Sequence, residues 1–110
     1  GIITPADLAA MQRRALFVNT SRSGLVEQGA LEAEVSKGEL YAAVDVFDTE
    51  PLTDTANPLL TSRNVLAPPH IGYVTEDEFD LQFSDIFDQI NAYASGEPIH
   101  MINPDVWEKK

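Results

Sequence analysis

Four ionisable side chains, Arg22, Asp45, Glu50 and His70, are of the types that grip an anion and move a proton. A histidine titrates near neutrality when unperturbed, so small local charges can tune it for proton transfer. An arginine presents a planar fork that holds a carboxylate by two hydrogen bonds, such as a small 2-oxo or 2-hydroxy acid offers. A glutamate beside the histidine favours the imidazolium and fixes the ring, making it an acid for a carbonyl oxygen and a base for a hydroxyl. Each residue taken singly also has a plainer role: His70 a turn residue bonded to backbone, Arg22 a surface ion pair, Glu50 a solvated loop residue, Asp45 a helix cap or a paired buried carboxylate. What decides between the two sets of roles is whether the fold gathers them.

The elements around these residues argue that it does. Asn64 to Gly72 begins as a short apolar run of strand type and is stopped by Pro68 and Pro69, which cannot continue a ladder, so His70 is held at the mouth of a sheet. Thr4-Pro5-Ala6-Asp7 reads as a helix start, followed by Leu8 and Met11 on its apolar side. Ala15 to Asn19 is an apolar run expected to be a strand covered on both faces, ending in a polar turn through Arg22. A second helix is expected from about Glu27 to Lys37 with Gly38 as its stop, then a strand from Tyr41 to Val46 that runs into Glu50. One helical turn is expected near Pro58. Strands separated by crossovers imply a parallel sheet, whose carboxyl ends share one rim where ligands of open α/β sheets bind. Arg22, Asp45 with Glu50, and His70 follow those three ends.

From Thr75 the pattern becomes a long amphipathic helix, with Phe79, Phe83, Ile86, Phe87, Ile90 and Tyr93 on one side. Glu76, Asp77, Glu78, Asp80, Asp85 and Asp88 read as its solvated face, and Thr75 with Glu78 as a capping box. Gly96 ends it. In the tail from Pro98 to Lys110, Trp107 reads as a packing anchor, and His100 has no metal-ligand spacing around it. No metal site is expected anywhere.

With 110 residues, 44% of them apolar, the chain is expected to build a packed core. Its net charge of -11 disfavours nucleic acid and anionic membrane surfaces as partners, since both need a basic footprint. There is no cysteine and no apolar run of membrane-spanning length, which makes a cytoplasmic location the expectation.

The segments Asn19-Thr20-Ser21-Arg22, Ala43-Val44-Asp45-Val46-Phe47 with Glu50-Pro51, Pro58-Leu59-Leu60, Asn64-Val65-Leu66 and Pro69-His70-Ile71-Gly72 together resemble the D-isomer-specific 2-hydroxyacid dehydrogenases. The likeness covers nearly the whole chain. It implies hydride transfer between NAD(P)H and a 2-oxo acid, with NAD favoured over NADP, in an enzyme expected to be a homodimer. It further implies that Arg22 holds the substrate carboxylate, His70 is the acid/base and Glu50 its partner. Asn19, Thr20, Asp45, His70 and Gly72 are the implied cofactor-binding positions, with Asp45 on the nicotinamide carboxamide and the backbone near Thr20 and Gly72 lining the ring.

Two departures accompany the likeness. Ser23 follows Arg22 where most of the family has glycine, and no Gly-x-Gly-x-x-Gly turn precedes a helix anywhere. The fold expected is therefore α/β, the second half of a Rossmann-type parallel sheet of three strands with crossover helices. Residues 1–74 would complete a nucleotide-binding domain, and 75–110, the long helix and tail, would return to a substrate domain. Alone, such a portion is expected to be inactive, to bind dinucleotide weakly and to self-associate. The alternative is a non-catalytic relative that senses dinucleotide or binds protein partners.

Overall fold

The computed structural model describes residues 1–107, so the last three residues of the expected tail lie outside it. The described chain forms two compact units, Gly1–Gly72 and a second beginning at Tyr73.

The first unit is a three-stranded parallel sheet with helices. Helix α1 (Pro5–Ala9) starts as its sequence dictates: the Thr4 side chain accepts from the Asp7 amide while Asp7 reaches back to the Thr4 amide, a reciprocal capping box. Strand β1 (Leu16–Asn19), helix α2 (Ala30–Ser36), strand β2 (Tyr41–Val44), helix α3 (Pro58–Thr61) and strand β3 (Val65–Leu66) follow, with the sheet in the order β1-β2-β3. Both pairings are parallel, Val18 opposite Ala43 and Ala43 opposite Leu66, so all three strands do end on one rim. Asn57 caps α3 by accepting from the Leu59 amide at 2.8 Å.

The second helix begins three residues later than its composition indicates. Gly29 sits at φ 76°, a left-handed conformation that interrupts right-handed helical dihedrals, so Glu27 to Gly29 form a turn leading into α2. Just upstream, Ser23–Leu25 makes a short 3-10 turn, and Val26 forms a parallel bridge with Ile3. Gly38, at φ 76°, follows the end of α2 as expected.

The core gathers Leu8 of α1, Ala30, Leu31 and Val35 of α2, and Leu59 of α3 against Ala42, Val44 and Phe47, with Phe17 and Val65 partly buried beside them. Phe17 alternates with Leu16 and Val18, and Val65 with Leu66, which are 59%, 56% and 68% exposed. The expectation that β1 is covered on both faces therefore holds on one face only, because the three helices pack on the same side of the sheet. At the entry to β3, Asn64 Nδ2 donates to the carbonyls of Val35, at 3.0 Å, and Leu40, at 2.5 Å, tying that strand to the α2–β2 corner.

The second unit holds helix α4 (Glu76–Ala94). Thr75 accepts from the Glu78 amide at 3.3 Å, which is half of the expected capping box. Phe79, Phe83 and Phe87 stack along one side with ring centroids 4.4 and 6.5 Å apart, and this stripe is exposed. Trp107 packs edge-on against Tyr93 at 5.5 Å, the anchoring role expected of it. His100 Nε2 lies 3.7 Å from Asp85. No helix among the described residues is long and apolar enough to cross a membrane.

Candidate active site at the carboxyl rim of the sheet

The rim assembles from the three strand ends. Beyond β3, Pro68 and Pro69 force the chain out of the ladder, and the His70 amide donates back to the Pro68 carbonyl at 3.0 Å. This tight return places His70 at φ 56°, a left-handed conformation that costs an L-residue roughly 1–2 kcal/mol. A non-glycine residue held there is a sign that its surroundings fix it.

Glu50 fixes the ring. Its Oε2 lies 2.6 Å from His70 Nδ1, and its Oε1 accepts from the Phe47 amide at 2.9 Å, so both oxygens are tethered. The side-chain hydrogen bond with His70, then that from the Phe47 amide, holds the Glu50 carboxyl below its ordinary value of 4.5 against the opposing effect of burial. An ionised carboxylate is only an acceptor, so His70 Nδ1 carries the proton and donates it to Glu50. Nε2 is the ring nitrogen that Glu50 does not engage. The pair is open to solvent, at 39% and 37% side-chain exposure, so a substrate can reach it.

Asp45, one residue past β2, is 6% exposed. Oδ1 accepts from the Ile71 amide at 2.9 Å and Oδ2 from the Gly72 amide at 2.5 Å. Burial, the largest single influence, pushes its carboxyl up; the hydrogen bonds from Ile71 and Gly72 and the nearby His70 together outweigh it, and the carboxyl sits below its ordinary 3.8. Of the plainer roles, neither a helix cap nor a carboxylate pair describes it: it bonds the turn that carries His70.

At the end of β1 the picture differs. Asn19 is buried and spends its side chain on the following turn, accepting from the Ser21 amide at 3.1 Å and donating to the Arg22 carbonyl at 3.0 Å. Its own carbonyl accepts from the Asp45 amide at 3.1 Å, which joins the two strand ends. Thr20 is exposed. Arg22 is exposed too, and its Nη1 donates to the Ser21 carbonyl at 2.6 Å; among the described residues it forms no ion pair and no hydrogen bond to Glu50 or His70. Asp45, Glu50, His70 and Gly72 are thus brought together by direct contacts, while Arg22 reaches the group only through the Asn19 turn.

Gly72 has a role that composition does not reveal. A β-carbon there would stand 2.7 Å from Asp45 Oδ2, so only glycine lets the backbone come this close to the carboxylate. The signal available in the sequence was a glycine two residues after a histidine, which has many other readings. Among the described residues no group of three or more His, Asp or Glu is placed to hold a metal ion.

Comparison with known proteins gives this rim a context. The family model for the NAD binding domain of D-isomer specific 2-hydroxyacid dehydrogenases matches residues 1–72. A glyoxylate/hydroxypyruvate reductase B from Enterobacter sp. (strain 638) is 36% identical over 107 residues, 96% of this chain and 33% of that protein. The crystal structure of a phosphoglycerate oxidoreductase from Vibrio cholerae o395 superposes with a TM-score of 0.77 at 43% identity, covering 86% of this chain and 30% of that one. A D-isomer specific 2-hydroxyacid dehydrogenase from Xanthobacter autotrophicus Py2, solved with NADPH and MES, gives 0.67 at 30% identity, covering 97% and 44%. The chain spans about a third of the length of the curated relatives it matches. With its three-stranded parallel sheet and a family match across the whole first unit, this chain belongs to the D-isomer specific 2-hydroxyacid dehydrogenases, through their NAD-binding domain.

Proposed function

We propose that this chain is the C-terminal portion of an NAD(P)-dependent dehydrogenase that interconverts a 2-oxo acid and its D-2-hydroxy acid. The observation that carries the reading is the His70–Glu50 contact, an imidazole with one nitrogen committed to an ionised carboxylate and the other free to exchange a proton. His70 Nε2 gives its proton to the carbonyl oxygen in reduction and takes it from the hydroxyl in oxidation. Glu50 stabilises the imidazolium and holds the ring in place for both directions. Arg22, whose fork has no carboxylate partner among the described residues, takes the carboxylate of the substrate.

The residues fit the nicotinamide end of the cofactor. Asp45 is a buried acceptor whose oxygens can each take a further hydrogen bond, the chemistry a carboxamide amine requires, and Gly72 leaves the adjoining backbone bare. Asn19 would act indirectly, by shaping the turn that carries Thr20 and Arg22. When bound, the reduced nicotinamide supplies the hydride. The residues that would take the pyrophosphate, a glycine turn at a helix N-terminus, are not in this sequence, so residues 1–74 are read as one half of the nucleotide domain and 75–110 as the return to a substrate domain. We further read the enzyme as cytoplasmic, in keeping with a cysteine-free sequence, and as a homodimer that favours NAD over NADP.

In the full-length enzyme, NADH or NADPH should be consumed with 2-oxo acids such as glyoxylate or hydroxypyruvate, the substrates named for the Enterobacter relative. Failure to turn over any 2-oxo acid with either cofactor would overturn the assignment. The 110-residue chain alone should be inactive, bind NADH far more weakly and self-associate through its uncovered apolar sheet face, read by calorimetric titration and light scattering. A monodisperse monomer with micromolar NADH affinity would contradict this.

A further inference from the structure

We infer that Asp45 is a positioning residue for His70, a clamp that sets the turn from which the imidazole works. The inference rests on the role of His70 proposed above, and concerns what keeps that residue in place. Three observations converge on it. The turn from His70 to Gly72 has its backbone amides at Ile71 and Gly72 both pointed at one carboxylate, at 2.9 and 2.5 Å. His70 itself occupies a left-handed conformation that an L-residue does not keep without help. Gly72 is admitted at its position because any β-carbon would meet Asp45 Oδ2 at 2.7 Å.

The arrangement has a mechanical logic. Glu50 holds the imidazole at Nδ1, and Asp45 holds the backbone from which that side chain departs, so the ring and its root are both fixed. Glu50 is tied to the Phe47 amide, two residues past Asp45, and both acidic residues therefore ride on the segment that leaves β2. The carboxylate is required in both of its oxygens. An asparagine could accept from one of the two amides but would turn an amine toward the other. Asp45 is also buried, so water replaces neither bond at low cost.

Two measurements test the clamp, one of them independent of catalysis. In the full-length enzyme, the amide proton signals of Ile71 and Gly72 should shift together during an acid titration as the Asp45 carboxylate takes up its proton, and the response should vanish in Asp45→Asn. Glu50 and His70, the other charged groups whose fields reach Asp45, are followed at their own side-chain signals so that their titrations are separated. Amide signals that track only Glu50 or His70 would overturn the clamp, whatever the enzyme does.

In the full-length enzyme, Asp45→Asn and Gly72→Ala should each lower kcat at saturating NAD(P)H on the order of 100-fold, as expected for a misplaced acid, over and above any rise in cofactor KM that follows from their proposed place at the nicotinamide end. Gly72→Ala should cost little more once Asp45→Ala has removed the carboxylate it would strike. A raised cofactor KM with kcat retained would make Asp45 a cofactor ligand only and overturn the proposal, as would full additivity of the two substitutions. Should the variants fail to fold, the titration of the unaltered chain still decides. An enzyme inactive toward every 2-oxo acid but showing the amide response would refute the catalytic reading and leave the clamp standing.

Discussion

The ends of β1 and β2 lie side by side at the rim, yet the side chains past one are tied down by hydrogen bonds across the fold and the arginine past the other is not. Past β2, Asp45 grips two amides of the His70 turn and Glu50 joins the His70 ring to the Phe47 amide, so both the turn and the ring are tied down by hydrogen bonds. Past β1, Asn19 shapes the turn, but among the described residues the Arg22 guanidinium forms its hydrogen bond with its neighbour's carbonyl and no ion pair. The difference suits the roles proposed for the two groups. An acid has to be in register with one atom when reaction occurs, which rewards preorganisation, whereas a cationic fork can complete its geometry around the anion it receives.

The sharpest way to break this contrast is at the preset end. In the full-length enzyme, His70→Gln removes the acid and should lower kcat by roughly two to four orders of magnitude with cofactor binding little altered. Turnover near that of the parent would show that His70 is not the proton carrier. At the open end, Arg22→Lys replaces a fork by a point charge, and the loss of one charged hydrogen bond should raise the KM for the 2-oxo acid by roughly 10- to 100-fold. Substrate saturation that does not move would assign Arg22 to the surface.

Glu50→Gln sharpens the comparison in another coordinate. A neutral amide lacks the charge that would stabilise a proton-carrying ring, so kcat for oxo-acid reduction should fall by roughly 10-fold with the KM for the 2-oxo acid little changed. An unchanged kcat means that Glu50 and His70 do not act together in the working enzyme. The smallest effect concerns folding. Because the Glu50 carboxyl is held below 4.5 in the folded chain, first by its hydrogen bond with His70 and then by that from Phe47, the unfolded chain binds the proton more readily in this range. The stabilisation it gives is present above pH 4.5 and is lost as pH falls through the depressed value. Chemical denaturation of parent and Glu50→Gln should therefore show a difference in stability near neutrality that closes on acidification, modestly, since the group is partly exposed. A difference that stays constant with pH would contradict the tethering of Glu50.

Much of this architecture could be read from the chain itself, for identifiable reasons. Apolar runs at Leu16, Tyr41 and Val65 separated by crossovers allow essentially a parallel sheet, and a parallel sheet puts Arg22, Asp45, Glu50 and His70 at one rim. Thr4, Pro5, Gly38 and Pro58 marked helix ends because their chemistry is local. What escaped was non-local. Nothing in the identity of Gln28 and Gly29 states that the glycine will be left-handed and delay α2. The runs at Leu16 and Val18 look the same whether one face of the sheet is covered or two. That Asp45 turns back onto the amides of residues 71 and 72, rather than capping a helix or meeting another carboxylate, depends on a return of the chain 26 residues later.

Asn64 lies at the entry to β3, away from the rim, yet it bears on how accurately the rim is aligned. By holding the carbonyls of Val35 and Leu40 it fixes where β3 starts, and the His70 turn lies only a few residues further along the same chain. A slip of a single residue in that strand would carry everything downstream by about 3.3 Å and turn Val65 to the wrong face. That displacement exceeds the 2.6 Å contact between His70 and Glu50. The tolerance of the reactive end of the sheet is thus set at its opposite end, as the aim of a lever is set at its pivot.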